Sequence, residues 1–167
     1  MNIVGRLNEI HLVNEEDTAR IAKMLADALS NASPLTQAVN CWLIGDLGAG
    51  KTTFTRYFLR ALGHLGKVKS PTYNLCEPYK LNSNNHEISA HHFDLYRMNH
   101  PKEWEEAGFR DILTSPGVCI IEWPEKAEGT LPTPDLIIRL NYVDEESRTI
   151  SIESYSTLGQ QLISNVH

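Results

Sequence analysis

The residues with the clearest chemistry form a phosphate-binding loop. The stretch Gly45-Asp46-Leu47-Gly48-Ala49-Gly50-Lys51-Thr52 matches the pattern G-x-x-x-x-G-K-[ST]. Its glycines let the backbone curve so that consecutive N–H groups point at phosphate oxygens. We expect Lys51 to reach the β- and γ-phosphates, the Thr52 hydroxyl to bind Mg²⁺, and the Thr53 hydroxyl to meet the α-phosphate. The motif predicts that residues 46–53 bind a nucleoside triphosphate.

Two carboxylates are candidates to complete a magnesium site. Mg²⁺ prefers hard oxygen ligands, and phosphate-loop proteins supply one from the end of a neighbouring strand. Glu122 follows the apolar run Val118–Ile121, and Asp94 follows Ile88–Phe93. We expect both to be catalytic, with Lys51, and to be metal ligands. A turn or helix-capping role is the alternative for each.

Three further features lie close to these residues in the sequence. Ser70-Pro71-Thr72-Tyr73 follows the loop and its helix, where a segment that orders around phosphate and Mg²⁺ is expected; a strand-entry turn is the alternative. Trp123 directly follows Glu122 and either gates the site or caps the strand. His91 and His92 are interpreted as strand residues on opposite faces rather than as metal ligands.

The elements that must position these side chains alternate between strands and helices. A short, mostly apolar run before the loop predicts a buried strand, and a helix follows the loop. The predicted strands are Ile3–Val13, Ala38–Ile44, Tyr73–Lys80, Glu87–Asp94, Val118–Trp123, Asp135–Val143 and Arg148–Tyr155, and the predicted helices are 15–30, Lys51–Leu62, 101–106 and 157–165. This order predicts one α/β P-loop NTPase domain over residues 1–167, with a mixed, mainly parallel central sheet plus β-hairpins.

Composition and charge exclude several classes of protein. No apolar run approaches the ~18 residues of a membrane helix, and residues 1–30 lack a secretory signal, so we expect a cytoplasmic protein without a membrane partner. Cys41, Cys76 and Cys119 match no disulfide or zinc spacing and are predicted to be buried strand residues. The net charge of −6 argues against coating nucleic acid, although residues 47–76 hold five basic and no acidic residues. That segment is either an anion site or a chance cluster.

Four segments together resemble the bacterial TsaE (YjeE) family. They are GDLGAGKTTFTR at 45–56, VKSPTYNL at 68–75, HFDLYR at 92–97 and IIEWPEK at 120–126. The resemblance covers about residues 5–155. It implies a small Mg²⁺-dependent P-loop ATPase that is needed for threonylcarbamoyladenosine in tRNA, with ATP as its substrate.

The resemblance also implies roles for individual residues. By position, residues 46–53 would bind the nucleotide phosphates, and Thr52 with Glu122 would hold Mg²⁺. Asp94 matches a functionally important acid near the metal and the γ-phosphate. Trp123 matches an important aromatic residue beside the site.

Two other parts of the chain gain a role only through this resemblance. Residues 70–74 correspond to a switch-like loop. In the family, the junction before the first helix approaches the nucleotide, which would place Glu15 near it.

The resemblance further implies protein partners. They are the threonylcarbamoyl transferase TsaD and its companion TsaB, which this ATPase would bind and cycle. Their complex transfers threonylcarbamoyl to the adenosine beside the anticodon, and the present chain would contact tRNA indirectly if at all.

Alternative functions remain open at this stage. A small-molecule P-loop kinase needs an arginine-bearing lid, for which Arg97 and Arg110 are the candidates; Arg97 could equally be a structural or partner contact. A GTPase is disfavoured because Asn-Lys-x-Asp is absent. A nucleotide-sensing adaptor without significant turnover is the non-enzymatic alternative. Hydrolysis by the protein alone is expected to be slow, because in P-loop enzymes a partner protein often supplies an arginine that stabilises the transition state.

Overall fold

Seven strands and five helices form the described part of the chain, residues 1–71 and 74–166 of a computed structural model. The strands are β1 (Gly5–Leu12), β2 (Ala38–Ile44), β3 (Cys76–Ser83), β4 (His86–Asp94), β5 (Gly117–Glu122), β6 (Leu136–Tyr142) and β7 (Arg148–Ser154). The helices are α1 (Glu15–Asn31), α2 (Lys51–Ala61), α3 (Glu103–Glu106), α4 (Arg110–Thr114) and α5 (Thr157–Ile163), with a 3₁₀ turn at Pro124–Ala127.

All seven strands belong to one mixed sheet with the order β1-β7-β6-β2-β5-β4-β3. The four central strands β6, β2, β5 and β4 are mutually parallel, whereas β1, β7 and β3 pair antiparallel with their neighbours. The mixed α/β fold with a parallel centre is therefore as predicted. Because parallel strands end at the same edge, the residues that follow β2, β4 and β5 come together there.

Helices cover both faces of the sheet. One face packs against α1, α2 and α5, and its core includes Leu25 of α1, Phe54 and Phe58 of α2, and Leu162 of α5. The other face packs against α3, α4 and the 3₁₀ turn around Trp104, which is fully buried. The apolar face of each helix is thus buried against strands whose side chains alternate between the two cores.

Local sequence signals explain several of the element ends. The Asn14 side chain caps α1 by accepting from the Asp17 amide, and Asp17 in return accepts from the Val13 amide. The β3–β4 hairpin turns at Asn84 and Asn85, whose φ values of 51° and 63° are typical of a tight two-residue turn. This turn lies between the two strands predicted at Tyr73–Lys80 and Glu87–Asp94.

Some predicted bounds are wrong. The strand predicted at Tyr73–Lys80 is Cys76–Ser83, because the tight turn extends the pairing to Ser83; Tyr73 itself lies outside the described residues. The strand predicted to end at Trp123 ends at Glu122, because the backbone turns left-handed at Trp123. The strand Ala38–Ile44 has the predicted bounds, and the other predicted elements differ by one or two residues at their ends. Helix α4 and the 3₁₀ turn were not predicted.

The three cysteines are buried strand residues, as predicted. Cys41, Cys76 and Cys119 are free and buried on β2, β3 and β5. Burial raises the pKa of all three thiols, to about 12 for Cys76 and Cys119, so they remain neutral. Within residues 1–71 and 74–166, no helix is both long and apolar enough to cross a membrane.

Candidate nucleotide-binding site

The phosphate loop joins β2 to α2 through a turn that needs glycine. Gly48 and Gly50 have φ values of 82° and 97°, in the left-handed region where a side chain would be strained. The Ala49 amide donates to the Asp46 carbonyl at 3.1 Å, and α2 begins at Lys51. The N-terminus of an 11-residue helix therefore points its free amides toward the loop, as anion binding requires.

A pocket of about 370 Å³ opens over this loop. It is lined by Leu47, Gly48, Ala49, Gly50, Lys51, Thr52, Thr53, Asp94, Glu122, Trp123 and Arg148. The structure thus brings most of the predicted nucleotide-binding residues together with the two predicted carboxylates and Trp123. Asp46 is exposed at the loop and does not line the pocket.

Lys51 is held inside the pocket by two contacts. Its side-chain amine donates to the Gly45 carbonyl at 2.5 Å and lies 3.7 Å from the centre of the Trp123 ring. The residue is only 6% exposed, and burial lowers the pKa of its amine while Glu122 and other nearby carboxylates oppose that shift. A cation is therefore already positioned where phosphate charge is expected.

The two carboxylates lie side by side at the ends of adjacent strands. Asp94 on β4 is opposite Glu122 on β5 in the parallel register. Burial raises the pKa of Asp94, with a smaller contribution from Glu122, while the hydrogen bond from the Tyr96 amide opposes the shift. Glu122 is 3% exposed. These oxygens face the same pocket as Lys51 and balance its charge.

The donor set suits Mg²⁺ rather than a metal that needs a complete protein cage. Among the described residues, no three His, Cys, Asp or Glu side chains converge as a metal-binding cluster. Mg²⁺ usually takes one or two protein oxygens and completes its shell with water and substrate phosphates. The Thr52 hydroxyl and the carboxylates of Glu122 and Asp94 line one pocket and are oxygen donors of this kind.

Trp123 closes one side of the pocket through an unusual backbone. Its φ of 58° and ψ of 47° are left-handed, a conformation that costs a bulky residue roughly 1–3 kcal/mol and is found mostly at functional sites. The indole packs against Lys51 and lies 4.9 Å from the Tyr96 ring. Trp123 therefore both ends β5 and forms a wall of the pocket.

A second cleft adjoins the phosphate pocket. It has a volume of about 290 Å³ and is lined by Leu47, Ser70, Pro71, Asn74, Leu75, Asp94, Tyr96 and Arg97. Leu47 and Asp94 line both cavities. The described residues of the predicted switch-like loop, Ser70, Pro71 and Asn74, therefore line a cleft that shares Asp94 with the phosphate pocket. Thr72 and Tyr73 lie outside the described residues.

Glu15 stands apart from the pocket lining. Its carboxylate pairs with Arg56 at 3.3 Å and accepts from the Tyr57 hydroxyl at 2.8 Å. Both partners are on α2, so Glu15 ties α1 to the helix that follows the phosphate loop. Its approach to a nucleotide stays a prediction.

Two residues of the site were missed by the sequence reasoning. Arg148 lines the pocket, where its Nε lies 3.8 Å from the position of a Cβ built on Gly50, and its Nη1 donates to the Asp144 and Ser147 carbonyls. A hydrogen bond joins His92 Nε2 to Glu122 Oε2. His92 was interpreted only as a strand residue, because its contact with Glu122 depends on the register of β4 and β5. No motif marks Arg148, whose place at the site depends on the strand order.

Comparison with known proteins identifies the family. Residues 12–150 match the family described as "Threonylcarbamoyl adenosine biosynthesis protein TsaE". A protein of Haemophilus influenzae named "tRNA threonylcarbamoyladenosine biosynthesis protein TsaE" is 40% identical over 92% of this chain and 94% of its own length. A protein of the same name from Bacillus subtilis is 37% identical over 83% of this chain and 80% of its own.

The fold agrees with a solved structure. The crystal structure of YdiB from Bacillus subtilis superposes with a TM-score of 0.73 and 28% sequence identity, covering 99% of this chain and 97% of YdiB. The family match, residues 12–150, spans the phosphate loop, both carboxylates, β6 and the start of β7. This chain therefore belongs to the TsaE family of threonylcarbamoyladenosine biosynthesis proteins.

Proposed function

We propose that this protein hydrolyses ATP with Mg²⁺ in the phosphate pocket. The observation that carries the proposal is the arrangement of Lys51, Asp94 and Glu122 around one cavity at the N-terminus of α2. Positive and negative groups are both required there, since phosphoryl transfer needs phosphate charge neutralised and an attacking water oriented. The reaction adds water to the γ-phosphorus and releases ADP and inorganic phosphate.

Each group of residues has a distinct task in this proposal. The amides of residues 46–53 and the start of α2 bind the phosphates, and Lys51 places its charge on the β- and γ-phosphates. Thr52 and Glu122 would hold Mg²⁺, and Asp94 lines the same pocket. When bound, the ion would supply positive charge to the phosphate oxygens. Glu122 is also the carboxylate best placed to orient water, because it is buried and lines the pocket.

Hydrolysis alone is expected to be slow. Neither arginine of α2 lines the phosphate pocket: Arg56 pairs with Glu15, and Arg60 is exposed. Arg148 lines the pocket, but the backbone carbonyls of its own hairpin already occupy Nη1. Arg97 is exposed beside the second cleft rather than within the phosphate pocket. A cation that completes the site is therefore best supplied or ordered by another protein.

We propose that the partner is the TsaB–TsaD complex of the same biosynthetic process, in the cytoplasm. The second cleft supports this, because it places Ser70, Pro71 and Arg97 at the surface beside Asp94, where a partner could order them over the γ-phosphate. ATP binding would favour assembly and hydrolysis would release it. The tRNA would be contacted through the partners.

The test compares the ATPase rate of the protein alone with the rate after TsaB and TsaD are added. We expect a large increase, on the scale of ~10³-fold or more if a cation is supplied in trans. Partner affinity is measured in parallel with ATP and with ADP and should be higher with ATP. An unchanged ATPase rate together with equal partner affinities in ATP and ADP would refute the proposed nucleotide-dependent switch. Absence of hydrolysis in every mixture would refute the proposed ATPase activity.

A further inference from the structure

His92 is a buried histidine beside the phosphate pocket. Its side chain is 0% exposed, and that of Glu122 on the neighbouring strand is 4% exposed. In the β4–β5 register, His92 is opposite Ile120 and Asp94 is opposite Glu122. Because side chains alternate between the faces of a sheet, all four lie on the same face, and His92 is one step behind Glu122.

A hydrogen bond joins the two side chains. It runs between His92 Nε2 and Glu122 Oε2. His92 Nδ1 is buried and has no partner among the described residues. An unpaired buried N–H is costly, so the tautomer that fits carries its hydrogen on Nε2 and donates it to the carboxylate. With this tautomer, the atom without a partner is the unprotonated Nδ1, which is an acceptor.

We propose that His92 is a positioning residue that orients Glu122 for Mg²⁺ and water. The hydrogen bond occupies Oε2 and leaves Oε1 for the pocket that Glu122 lines. The inference rests on the proposed role of Glu122 in ATP hydrolysis. A glutamate has three side-chain torsions, and a fixed donor on the adjacent strand removes most of that freedom.

Residues that hydrogen-bond to a metal ligand have an effect on metal binding whose typical size is known. Their loss typically lowers metal affinity or activity by about 10–100-fold, because the ligand loses its orientation and part of its electrostatic support. A histidine that only fills space would instead change stability and leave the Mg²⁺ dependence of the folded protein unaltered. The two roles therefore differ in a measurable quantity other than activity.

The experiment uses three substitutions of His92 and one control. His92→Leu removes the donor, His92→Gln keeps an amide N–H near the place of Nε2, and His92→Asn keeps an amide that is too short to reach Glu122. His91→Leu is the matched control, because His91 lies on the opposite face of the same strand, where it is half-buried and lines a different pocket. Thermal unfolding verifies that each variant is folded.

The principal readout is the Mg²⁺ concentration that half-saturates binding of a non-hydrolysable ATP analogue, measured by calorimetry. We expect His92→Leu and His92→Asn to raise it about 10–100-fold. We expect His92→Gln to stay within a few-fold of the wild type and His91→Leu to leave it unchanged. If His92→Leu does not fold, the comparison of His92→Gln with His92→Asn gives the same decision. Equal Mg²⁺ dependence in the Gln and Asn variants would overturn the proposal.

A double-mutant comparison separates this inference from the proposed function. If His92 acts through Glu122, His92→Leu should have no further effect on Mg²⁺ dependence in a Glu122→Gln background. The same fold-change in both backgrounds would overturn the positioning role. If Glu122→Gln alters neither hydrolysis nor Mg²⁺ dependence, the proposed function fails. If Glu122→Gln has its effect while His92→Leu has none, only the positioning role fails.

Discussion

Replacing Lys51 by methionine isolates the contribution of one charge to nucleotide binding. Methionine keeps an unbranched stem of similar length in a position that is 6% exposed, so little packing is lost. The substitution removes the bond to Gly45 and the contact with Trp123. These are worth about 0.5–1.5 and 0.5–2 kcal/mol, and relief from burying a charge offsets part of them. We expect the free energy of unfolding to change by less than about 2 kcal/mol.

The effect on ATP affinity is larger, because Lys51 is expected to contact both the β- and the γ-phosphate. Each hydrogen bond from the ammonium to a charged oxygen contributes about 1.5–3 kcal/mol. To make them, Lys51 gives up its contacts with Gly45 and Trp123, which reduces the net gain. The remaining difference is about 2–3 kcal/mol, which corresponds to ATP binding that is weaker by roughly 30- to 150-fold.

Calorimetry with ATP and with AMP tests this reasoning. AMP lacks the β- and γ-phosphates, so Lys51→Met should leave AMP affinity nearly unchanged while it weakens ATP. Lys126→Met is the control, because Lys126 is an exposed lysine that contacts the Tyr96 ring without lining the pocket. The ATP affinity of the Lys126→Met variant should equal that of the wild type.

Two results would refute the assignment of Lys51. The first is an ATP affinity within threefold of the wild type in folded Lys51→Met protein. The second is an equal loss of ATP and AMP affinity, which would indicate damage to the pocket rather than a missing contact to the terminal phosphates.

Three other substitutions or conditions give separate tests. Glu122→Gln should slow hydrolysis by about 10²–10⁴-fold with ATP affinity within a few-fold of the wild type, and an unchanged steady-state rate with partners present would contradict its role. ATP affinity should fall as pH rises through the lowered pKa of Lys51, beginning below its ordinary 10.5, because only the protonated amine is attracted to phosphate; a flat calorimetric profile to pH 10.5 would argue against this. Trp104→Ala should reduce the free energy of unfolding by about 3–5 kcal/mol in urea titrations, since its fully buried ring fills one core and its Nε1 donates to Thr130; a loss below 1 kcal/mol would contradict that.

The features that could be predicted, among them the phosphate loop and the two carboxylates, are encoded by short local patterns in the sequence. The phosphate loop is contiguous, and its flanking strand and helix carry strong signals of their own, so the sequence alone is enough to place residues 47–53. Asp94 and Glu122 could both be identified as candidates because each ends a predicted strand, and parallel strands end at one edge of a sheet. Asn14 could be identified as a helix cap from its side chain and from Asp17 three residues later.

The parts that were missed depend on distant residues. The His92–Glu122 bond requires the β4–β5 register, which fixes a one-step offset that no single segment encodes. Arg148 reaches the loop because β6 pairs with β2, and β7 in turn with β6. The end of β5 was predicted one residue late because the left-handed backbone of Trp123 is set by its surroundings. Helix α4 has only five residues, too few for a helical period to be recognised.

The pairing of β1 with β7 at one edge of the sheet has a consequence for the order in which the chain folds. Strand β1 pairs with β7, and the bond from Ser154 to Gly5 joins residues 149 positions apart. At a synthesis rate of ~5–20 residues per second, β1 waits roughly 7–30 s on the ribosome before its neighbour exists. The first strand to emerge is thus among the last to be paired, and closing so long a loop makes this a slow step in folding. Arg148, at the start of β7, joins the nucleotide pocket in that same late step.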